Sequence, residues 1–159
     1  MPIADFSLDA KVAIVTGGSR GIGRSIALGL AEAGADIALA ARKPEALEEA
    51  VDAVRKLGRR AIAVPTNVRK MEELRNLVDT PCRELGRLDV LVNNAGTNFP
   101  EPFVDVSEEH LDRLLNLNVR AAFLVAQSGA RRMLAAADRR ARGGAIVNMS
   151  SQMGHVGAV

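Results

Sequence analysis

The chain has 159 residues, 48% of them hydrophobic and only 3% aromatic, with a net charge of +2 at pH 7, which predicts a soluble globular protein and argues against a nucleic-acid partner. The apolar runs are much shorter than the roughly 20 residues of a membrane span, and residues 1–8 lack the pattern of a signal peptide, so we expect a cytoplasmic protein. One cysteine, Cys82, and two separated histidines provide neither an internal disulfide nor a metal-ligand cluster, so no metal is expected.

Short apolar runs alternate with helical patterns along the chain and predict five strands with four intervening helices. The runs lie at residues 12–15, 37–41, 61–64, 90–92 and 145–147. Strands this apolar are buried on both faces, which favours a parallel sheet with right-handed crossovers. We predict one domain over residues 1–159, with a doubly wound, Rossmann-like α/β fold and strand order 3-2-1-4-5. Its ligand is expected at the carboxyl ends of strands one and four, where the order reverses.

The first strand runs into the sequence TGGSRGIG at residues 16–23, followed by a helix predicted at 22–33. A helix that starts directly after such a turn presents free backbone N–H groups, which bind phosphate favourably. Gly17 is expected to allow the tight turn, Gly21 to let the backbone approach a pyrophosphate, and Gly23 to let the helix pack closely on the sheet. The single domain over residues 1–159 is therefore predicted to bind a dinucleotide, and a glycine-rich turn without any ligand is the alternative interpretation.

Two residues disfavour the helices in which they lie. Pro81 interrupts the third helical pattern, and a proline inside a helix costs about 3 kcal/mol, so we expect a kink or break there. Gly129 lies within a long fourth helix, where glycine costs up to roughly 1 kcal/mol relative to alanine. Both residues therefore bear on stability.

The fourth helix also carries a polar residue, Asn118, at a position that helical spacing assigns to an apolar seam. The seam consists of Leu111, Leu114, Leu115, Ala122 and Val125. Burying an unpaired amide costs about 1–3 kcal/mol, so Asn118 is predicted to face the core and to find partners or line a cavity there. It is either a structural bridge from helix to sheet or a site amide that holds water or a catalytic group.

Polar residues follow strands four and five. The sequence NNAG at residues 93–96 supplies two amides and a glycine where side chain to backbone bonds are needed to tie the crevice together. The sequence NMSS at 148–151 places two hydroxyl groups at the same edge of the sheet. A plain turn and helix-capping serines are the alternatives.

Together these motifs resemble the short-chain dehydrogenases/reductases in order and spacing. The motifs are TGGSRGIG, NNAG, Leu-Asn-Val at 117–119 and Ile-Val-Asn-Met-Ser-Ser at 146–151. The resemblance covers essentially the whole chain and is nearest to 3-oxoacyl-[acyl-carrier-protein] reductases and related carbonyl reductases, sugar dehydrogenases and alcohol dehydrogenases. It implies hydride transfer between a nicotinamide cofactor and a small-molecule carbonyl or alcohol, by a homo-oligomer that is a tetramer or dimer.

The resemblance also implies roles for individual residues. Ser151 corresponds to the catalytic serine that hydrogen-bonds the reacting oxygen, and Asn118 to the catalytic asparagine that holds a water in the proton relay. Asn67 and Val68 resemble the pair that contacts adenine, although many relatives have aspartate at the first position. The cofactor-binding residues on this interpretation are Gly17, Ser19, Arg20, Gly21, Ile22, Gly23, Arg42, Asn67, Val68, Asn94, Ala95 and Gly96.

The end of strand two predicts the choice of cofactor. An NAD enzyme places a carboxylate there to accept bonds from the ribose hydroxyls, and this chain has Ala41. Arg42 follows directly and Arg20 lies in the glycine turn, so two guanidinium groups are available for a ribose 2′-phosphate. The sequence therefore predicts NADP(H) in preference to NAD(H), with a solvated loop charge as the plainer interpretation of Arg42.

The chain departs from the family in having no tyrosine. The family's proton donor is a tyrosine about a dozen residues beyond the serine, in a Tyr-x-x-x-Lys motif, and Val159 precedes that place. We therefore expect the C-terminal part of the family domain to be missing from these 159 residues, and little turnover from them alone. A non-catalytic NADP(H)-binding module or an inactive fragment is the alternative. Residues 97–103 and 152–155, including His155, are the expected substrate lining.

Overall fold

A five-stranded parallel sheet organises the computed structural model, which describes residues 6–151. Its strands are β1 (Val12–Thr16), β2 (Asp36–Ala41), β3 (Ala61–Pro65), β4 (Val90–Asn93) and β5 (Ala145–Asn148). They lie in the order β3-β2-β1-β4-β5, and every neighbouring pair is parallel. The predicted fold class and strand order are confirmed, and each strand begins and ends within one residue of its apolar run.

The helices cover both faces of this sheet. They are α1 (Gly21–Glu32), α2 (Pro44–Lys56), α3 (Met71–Glu84), α4 (Glu108–Leu114), a π-helical stretch (Leu115–Ala121), α5 (Ala122–Leu134) and the single turn α6 (Arg139–Arg142). Side chains of β1 alternate between two hydrophobic clusters. Val12 and Ile14 pack with residues of α3 and α5, whereas Ala13 and Val15 pack with residues of α1 and α2. Because both faces of β1 are buried, the strand reads as a continuous apolar run.

Pro81 does not break α3, contrary to the expectation from sequence. The helix continues from Met71 to Glu84 with Pro81 inside it, and the carbonyl group of Pro81 accepts a hydrogen bond from Leu85 N at 2.8 Å. The proline lies in the last turn, so its ring removes one backbone donor close to the end of the helix. Its buried side chain, and that of the neighbouring Cys82, pack into the core.

The long fourth helix predicted from sequence is present as one uninterrupted helical segment over 108–134, but it is not a regular α-helix as helical spacing assumed. Its residues form α4, then the π-helical stretch, then α5. In α5, Val125, Gly129 and Met133 are buried, but Leu111 and Leu115 of the predicted seam are 47% and 45% exposed. The predicted seam was based on 3.6 residues per turn throughout. A π-helical stretch has more residues per turn, so it rotates the side chains of α4 relative to those of α5. Helix α5 and the end of the π-helical stretch therefore pack against the core, the latter through Ala121 and Leu117, whereas α4 has no buried residue.

At the amino end of the sheet, Asp89 joins β1 to the start of β4. Its carboxylate is 4% exposed and accepts hydrogen bonds from Val12 N at 2.9 Å and from Arg87 Nε and Nη2 at 2.7 Å each. Burial by itself would raise the pKa of Asp89, but the bonds from Arg87 and Val12 outweigh burial and hold the pKa below its ordinary value. This ion pair fixes the edge of the sheet opposite the glycine turn.

Gly129 has a packing reason that its sequence context did not reveal. A Cβ built on it would lie 2.7 Å from Leu91 Cδ2, and Leu91 is a fully buried residue of β4. Helix α5 therefore approaches the sheet more closely than an alanine would allow. By contrast, Gly29 on the exposed side of α1 has no atom within 4 Å of such a Cβ.

We predict opposite effects of alanine at these two helical glycines. Gly29→Ala should stabilise the protein by about 0.5–1 kcal/mol through helix propensity. Gly129→Ala should destabilise it by about 1 kcal/mol, since the overlap with Leu91 exceeds that gain. Urea unfolding followed by circular dichroism measures both. Equal stabilisation by the two variants would show that Leu91 yields freely and that close packing does not explain Gly129.

Candidate functional site

The carboxyl ends of β1 and β4 lie side by side at the point where the strand order reverses. The glycine turn leaves β1 and leads into α1, whose N-cap residue, Arg20, has extended backbone (φ −157°) and makes no side-chain cap hydrogen bond. The first turn of α1 contains no acidic residue. The first N–H groups of a 12-residue helix are thus left without a capping side chain at the edge of the crevice, which is the arrangement that binds phosphate.

Three glycines shape this turn in different ways. Gly17 has φ +66°, and a Cβ there would lie 2.9 Å from Asn94 Nδ2. Gly21 has φ +54° and no atom within 4 Å of a built Cβ, so the backbone there is bare on that side. A Cβ on Gly23 would overlap the carbonyl oxygen of Gly17. Gly18 is a fourth close approach, since its Cβ would meet Leu39 Cδ2 at 2.5 Å, and sequence reasoning did not single it out.

The hydroxyl group of Thr16 connects the two strands that flank the crevice. It donates to Val92 O at 3.3 Å and accepts from Asn94 N and Ala95 N, each at 3.0 Å. The Asn94 side chain returns the link, because its Nδ2 donates to Thr16 O at 3.0 Å and Gly17 O at 3.3 Å. Thr16 is only 2% exposed. The sequence predicted that NNAG holds the crevice together through hydrogen bonds, and Thr16 of β1 is the residue to which NNAG bonds.

Asn93 performs a similar connection one strand further along. It is 6% exposed, and its Nδ2 donates to Ala122 O at 3.0 Å and to Asn148 Oδ1 at 2.9 Å. Its own carbonyl group accepts from Met149 N at 2.9 Å. These bonds fix the backbone that leads from β5 to Ser151, an exposed residue three positions beyond the strand. Ser151 therefore lies at the same edge of the sheet as the glycine turn.

Asn118 is exposed and does not face the core, which corrects the expectation from helical spacing. It lies in the π-helical stretch, and both halves of its amide bond the backbone of Thr97. Thr97 N donates to Asn118 Oδ1 at 2.9 Å, and Asn118 Nδ2 donates to Thr97 O at 2.8 Å. A Cβ on Gly96 would lie 3.4 Å from Asn118 Oδ1. The structure thus brings Asn118 to the end of NNAG, and Thr97 is a partner that sequence reasoning missed.

Residues at the ends of β2 and β3 extend this edge of the sheet. Ala41 is the last residue of β2, and Arg42 and Arg20 are exposed. After β3, Asn67 Oδ1 accepts from Arg69 N at 3.2 Å, and Val68 is buried in the core.

Glu73 holds the backbone of this turn after β3. The bond from Asn67 N to Glu73 Oε2, at 2.6 Å, is the main cause that lowers the pKa of Glu73. The Asn67 side chain already accepts a hydrogen bond from Arg69 N within the same turn. The adenine contact predicted for Asn67 and Val68 would therefore use the part of their surface that stays exposed at this edge of the sheet.

The structure describes residues 6–151, and part of the expected substrate lining lies outside them. That part is residues 152–155, with His155. Within residues 6–151, no group of three His, Cys, Asp or Glu side chains could hold a metal ion. No helix in that range is long and apolar enough to cross a membrane.

Known proteins of similar sequence are dehydrogenases and reductases. The 2-dehydro-3-deoxy-D-gluconate 5-dehydrogenase of Escherichia coli (strain K12) is 36% identical over 160 residues, covering 100% of this chain and 60% of that protein. The hydroxynaphthalene reductase-like protein Arp2 of Metarhizium robertsii is 43% identical over 148 residues, covering 91% of this chain and 52% of that protein. The chain therefore spans little more than half the length of these curated relatives.

Solved structures agree with the sequence comparison. A 7 alpha-hydroxysteroid dehydrogenase complexed with NADH and 7-oxo glycochenodeoxycholic acid matches with a TM-score of 0.90 at 34% identity, covering 100% of this chain and 60% of that one. An NAD⁺-bound xylitol dehydrogenase matches with a TM-score of 0.87 at 36% identity, covering 94% and 56%. A family model described as short chain dehydrogenase matches residues 11–159. With its parallel sheet, glycine turn and NNAG segment, the chain belongs to the short-chain dehydrogenase/reductase family.

Proposed function

We propose that this protein is an NADP(H)-dependent oxidoreductase that transfers hydride between the nicotinamide and a carbonyl or secondary alcohol of a small molecule, in the manner of 3-oxoacyl-[acyl-carrier-protein] reductases. The observation that carries the proposal is the uncapped N-terminus of α1 beside a turn in which Gly17 and Gly23 leave no room for side chains. Such a cradle fits the backbone-bound pyrophosphate of a dinucleotide. When bound, the nicotinamide would supply the hydride acceptor or donor.

On this proposal, different residues around the crevice bind the cofactor and the carbonyl substrate. The backbone of residues 17–23 holds the pyrophosphate, while Asn94, Ala95 and Gly96 line the side of the crevice that β4 provides. Ser151 donates a hydrogen bond to the reacting oxygen, which stabilises the negative charge that develops there during hydride transfer. Asn118 holds its own position through Thr97 and supports a water for proton exchange. The described residues thus bind and orient a carbonyl group.

The proposed preference for NADP(H) depends on charge at the end of β2. Ala41 offers no carboxylate for the ribose hydroxyls. Arg42 and Arg20 are exposed, and neither pairs with a carboxylate among residues 6–151. Their guanidinium groups are therefore free to form charge-assisted hydrogen bonds with a phosphate. Two solved relatives are complexed with NADH or NAD⁺, which is a property of those two proteins. The cofactor preference proposed for this chain is tested by titration.

We predict that Arg42→Ala weakens NADPH binding about tenfold, which corresponds to about 1.4 kcal/mol, and leaves NADH binding within twofold. Ala41→Asp should act in the same direction on NADPH and strengthen NADH binding, since it supplies the missing carboxylate. Fluorescence titration of the nicotinamide measures the NADPH and NADH dissociation constants of the unaltered protein and of each variant. Arg24→Ala, an exposed arginine of α1, is the matched control. Tighter binding of NADH than NADPH by the unaltered protein would contradict the proposed preference.

We predict that Ser151→Ala lowers kcat for NADPH-dependent ketone reduction by the full protein about 100-fold or more, because it removes the donor to the reacting oxygen. Ser150→Ala, which changes the adjacent exposed serine, should stay within threefold. NADPH oxidation at 340 nm gives both rates, and NADPH titration verifies that cofactor affinity is unchanged. A protein that binds NADPH but reduces no carbonyl compound would be a cofactor-binding module, the alternative function.

We propose further that the full protein is a homo-oligomer joined through the apolar stripe of Leu111, Leu115, Val119 and Phe123. These side chains follow one another at intervals of four residues and are 45–65% exposed. A stripe of this kind on one nearly continuous helical segment is complementary to a second copy of itself across a two-fold axis, the commonest symmetry of oligomers.

The double variant Val119→Asp, Phe123→Asp should convert this oligomer to a monomer, because two carboxylates would be buried in the interface. Light scattering after size exclusion gives the mass. Phe103→Asp is the control, since Phe103 is 92% exposed and lies outside the stripe. A monomeric full protein, or an oligomer that survives the double variant, would show that something else covers this face.

A further inference from the structure

The segment between NNAG and α4, residues 97–107, contains a small cluster held against α4. Most of the segment is exposed, but Phe99 and Glu101 are half-buried. The Phe99 ring stacks on the His110 ring with centroids 4.3 Å apart and planes inclined by 4°. On the same imidazole, Nδ1 lies 2.9 Å from Glu101 Oε1. One side chain of α4 therefore contacts two residues of the segment, through its face and through its edge.

Charged neighbours complete this cluster. The guanidinium carbon of Arg113, one turn further along α4, lies 5.7 Å from the centroid of the Phe99 ring, within the range of a cation–π contact. Arg113 Nη1 is in turn 3.2 Å from Glu109 Oε1. The cluster thus joins an aromatic ring, a carboxylate, an imidazole and a guanidinium in contacts that all run between the segment and α4, or along α4 itself.

The cluster is the second of two anchors on the same segment. The first is the double bond between Thr97 and Asn118. Phe99 follows Thr97 by two residues, so its Cα lies within roughly 7–8 Å of the Thr97 Cα. A stretch of chain that short, attached at one end to Asn118 and at the other to His110, has few conformations left. The two anchors together hold the backbone beside the amide of Asn118.

We infer that His110 is a positioning residue that holds Phe99 and Glu101, and with them the wall of the substrate site next to Asn118. That the wall faces a substrate rests on the proposed function. That His110 fixes the wall rests on the contacts alone. The imidazole is suited to the task because it offers both a flat face for Phe99 and a ring nitrogen for the carboxylate. The segment is therefore set in place before any substrate binds.

The Thr97 amide reports on this anchor directly, since its proton is donated to Asn118 Oδ1. We expect His110→Ala to increase the hydrogen exchange rate of Thr97 N–H at least tenfold, measured by NMR, through local opening of the segment. Exchange of the Ile14 amide in β1 should stay within twofold. His110→Phe, which retains the stack and loses the contact with Glu101, should recover part of the protection. Phe103→Ala, in the same segment and 92% exposed, is the control.

A double variant tests whether Glu101 acts only through its contact with His110. Glu101→Ala combined with His110→Ala should raise the exchange rate of the Thr97 amide no more than His110→Ala alone, because His110→Ala already removes the contact between residues 101 and 110. In the full protein, His110→Ala should raise the KM of the carbonyl substrate about tenfold and leave the NADPH dissociation constant within twofold.

Three results would overturn the inference. An unchanged Thr97 exchange rate in His110→Ala would show that the wall holds itself. An equal rise at Thr97 and Ile14 would show loss of global stability in place of positioning. An unchanged substrate KM together with faster exchange at Thr97 would show that the wall does not face the substrate. Failure of the unaltered protein to bind NADPH would overturn the proposed function and leave the exchange result as it stands.

Discussion

The buried hydroxyl group of Thr16 is the interaction on which the crevice depends. The pairing of β1 with β4 ends at Val15 and Val92, and beyond it the reversal of strand order sends the chain away from the two strands in different directions. One hydroxyl accepts the N–H groups of Asn94 and Ala95 and donates to Val92. Each buried N–H left unpaired would cost about 1–3 kcal/mol. The remaining features of the turn, including the tight fit of Gly17 and Gly23 against Asn94, follow from the closeness that this link imposes.

Most of the fold could be predicted because its strongest determinants are local. Apolar runs such as residues 12–15 mark strands buried on both faces, and the interval between them admits only a helical crossover. Helix α2 shows the same property, since its buried residues repeat at helical spacing after Pro44 at its start. The glycine turn was recognisable for a similar reason. Positive φ at Gly17 and Gly21 is a requirement that few residues other than glycine meet.

The candidate site was less predictable because its contacts join residues far apart in sequence. Asn118 and Thr97 are 21 positions apart, and Asn94 and Thr16 are 78 apart. No periodicity reports such pairs. Helical spacing placed Asn118 on the core side because it assumed a regular helix, and the π-helical stretch violates that assumption. Pro81 misled for a different reason. A proline removes only its own N–H donor, and the carbonyl group of Pro81 still accepts from Leu85 N, so the helix continues through it while its buried ring packs in the core.

The π-helical stretch also constrains how this protein tolerates insertions and deletions. A π-bulge accommodates one more residue than the α-helix it interrupts, at some cost in hydrogen-bond geometry. Deleting a single residue at positions 119–121, after Asn118, would allow α4 and α5 to merge into one regular helix, which local energetics favour. The same deletion would rotate the side chains before it by about 100°, the angle per residue of an α-helix, and carry the amide away from Thr97. The irregular turn is thus a position where greater helix stability and a correctly placed Asn118 exclude one another, and the length of this segment should vary less than its composition.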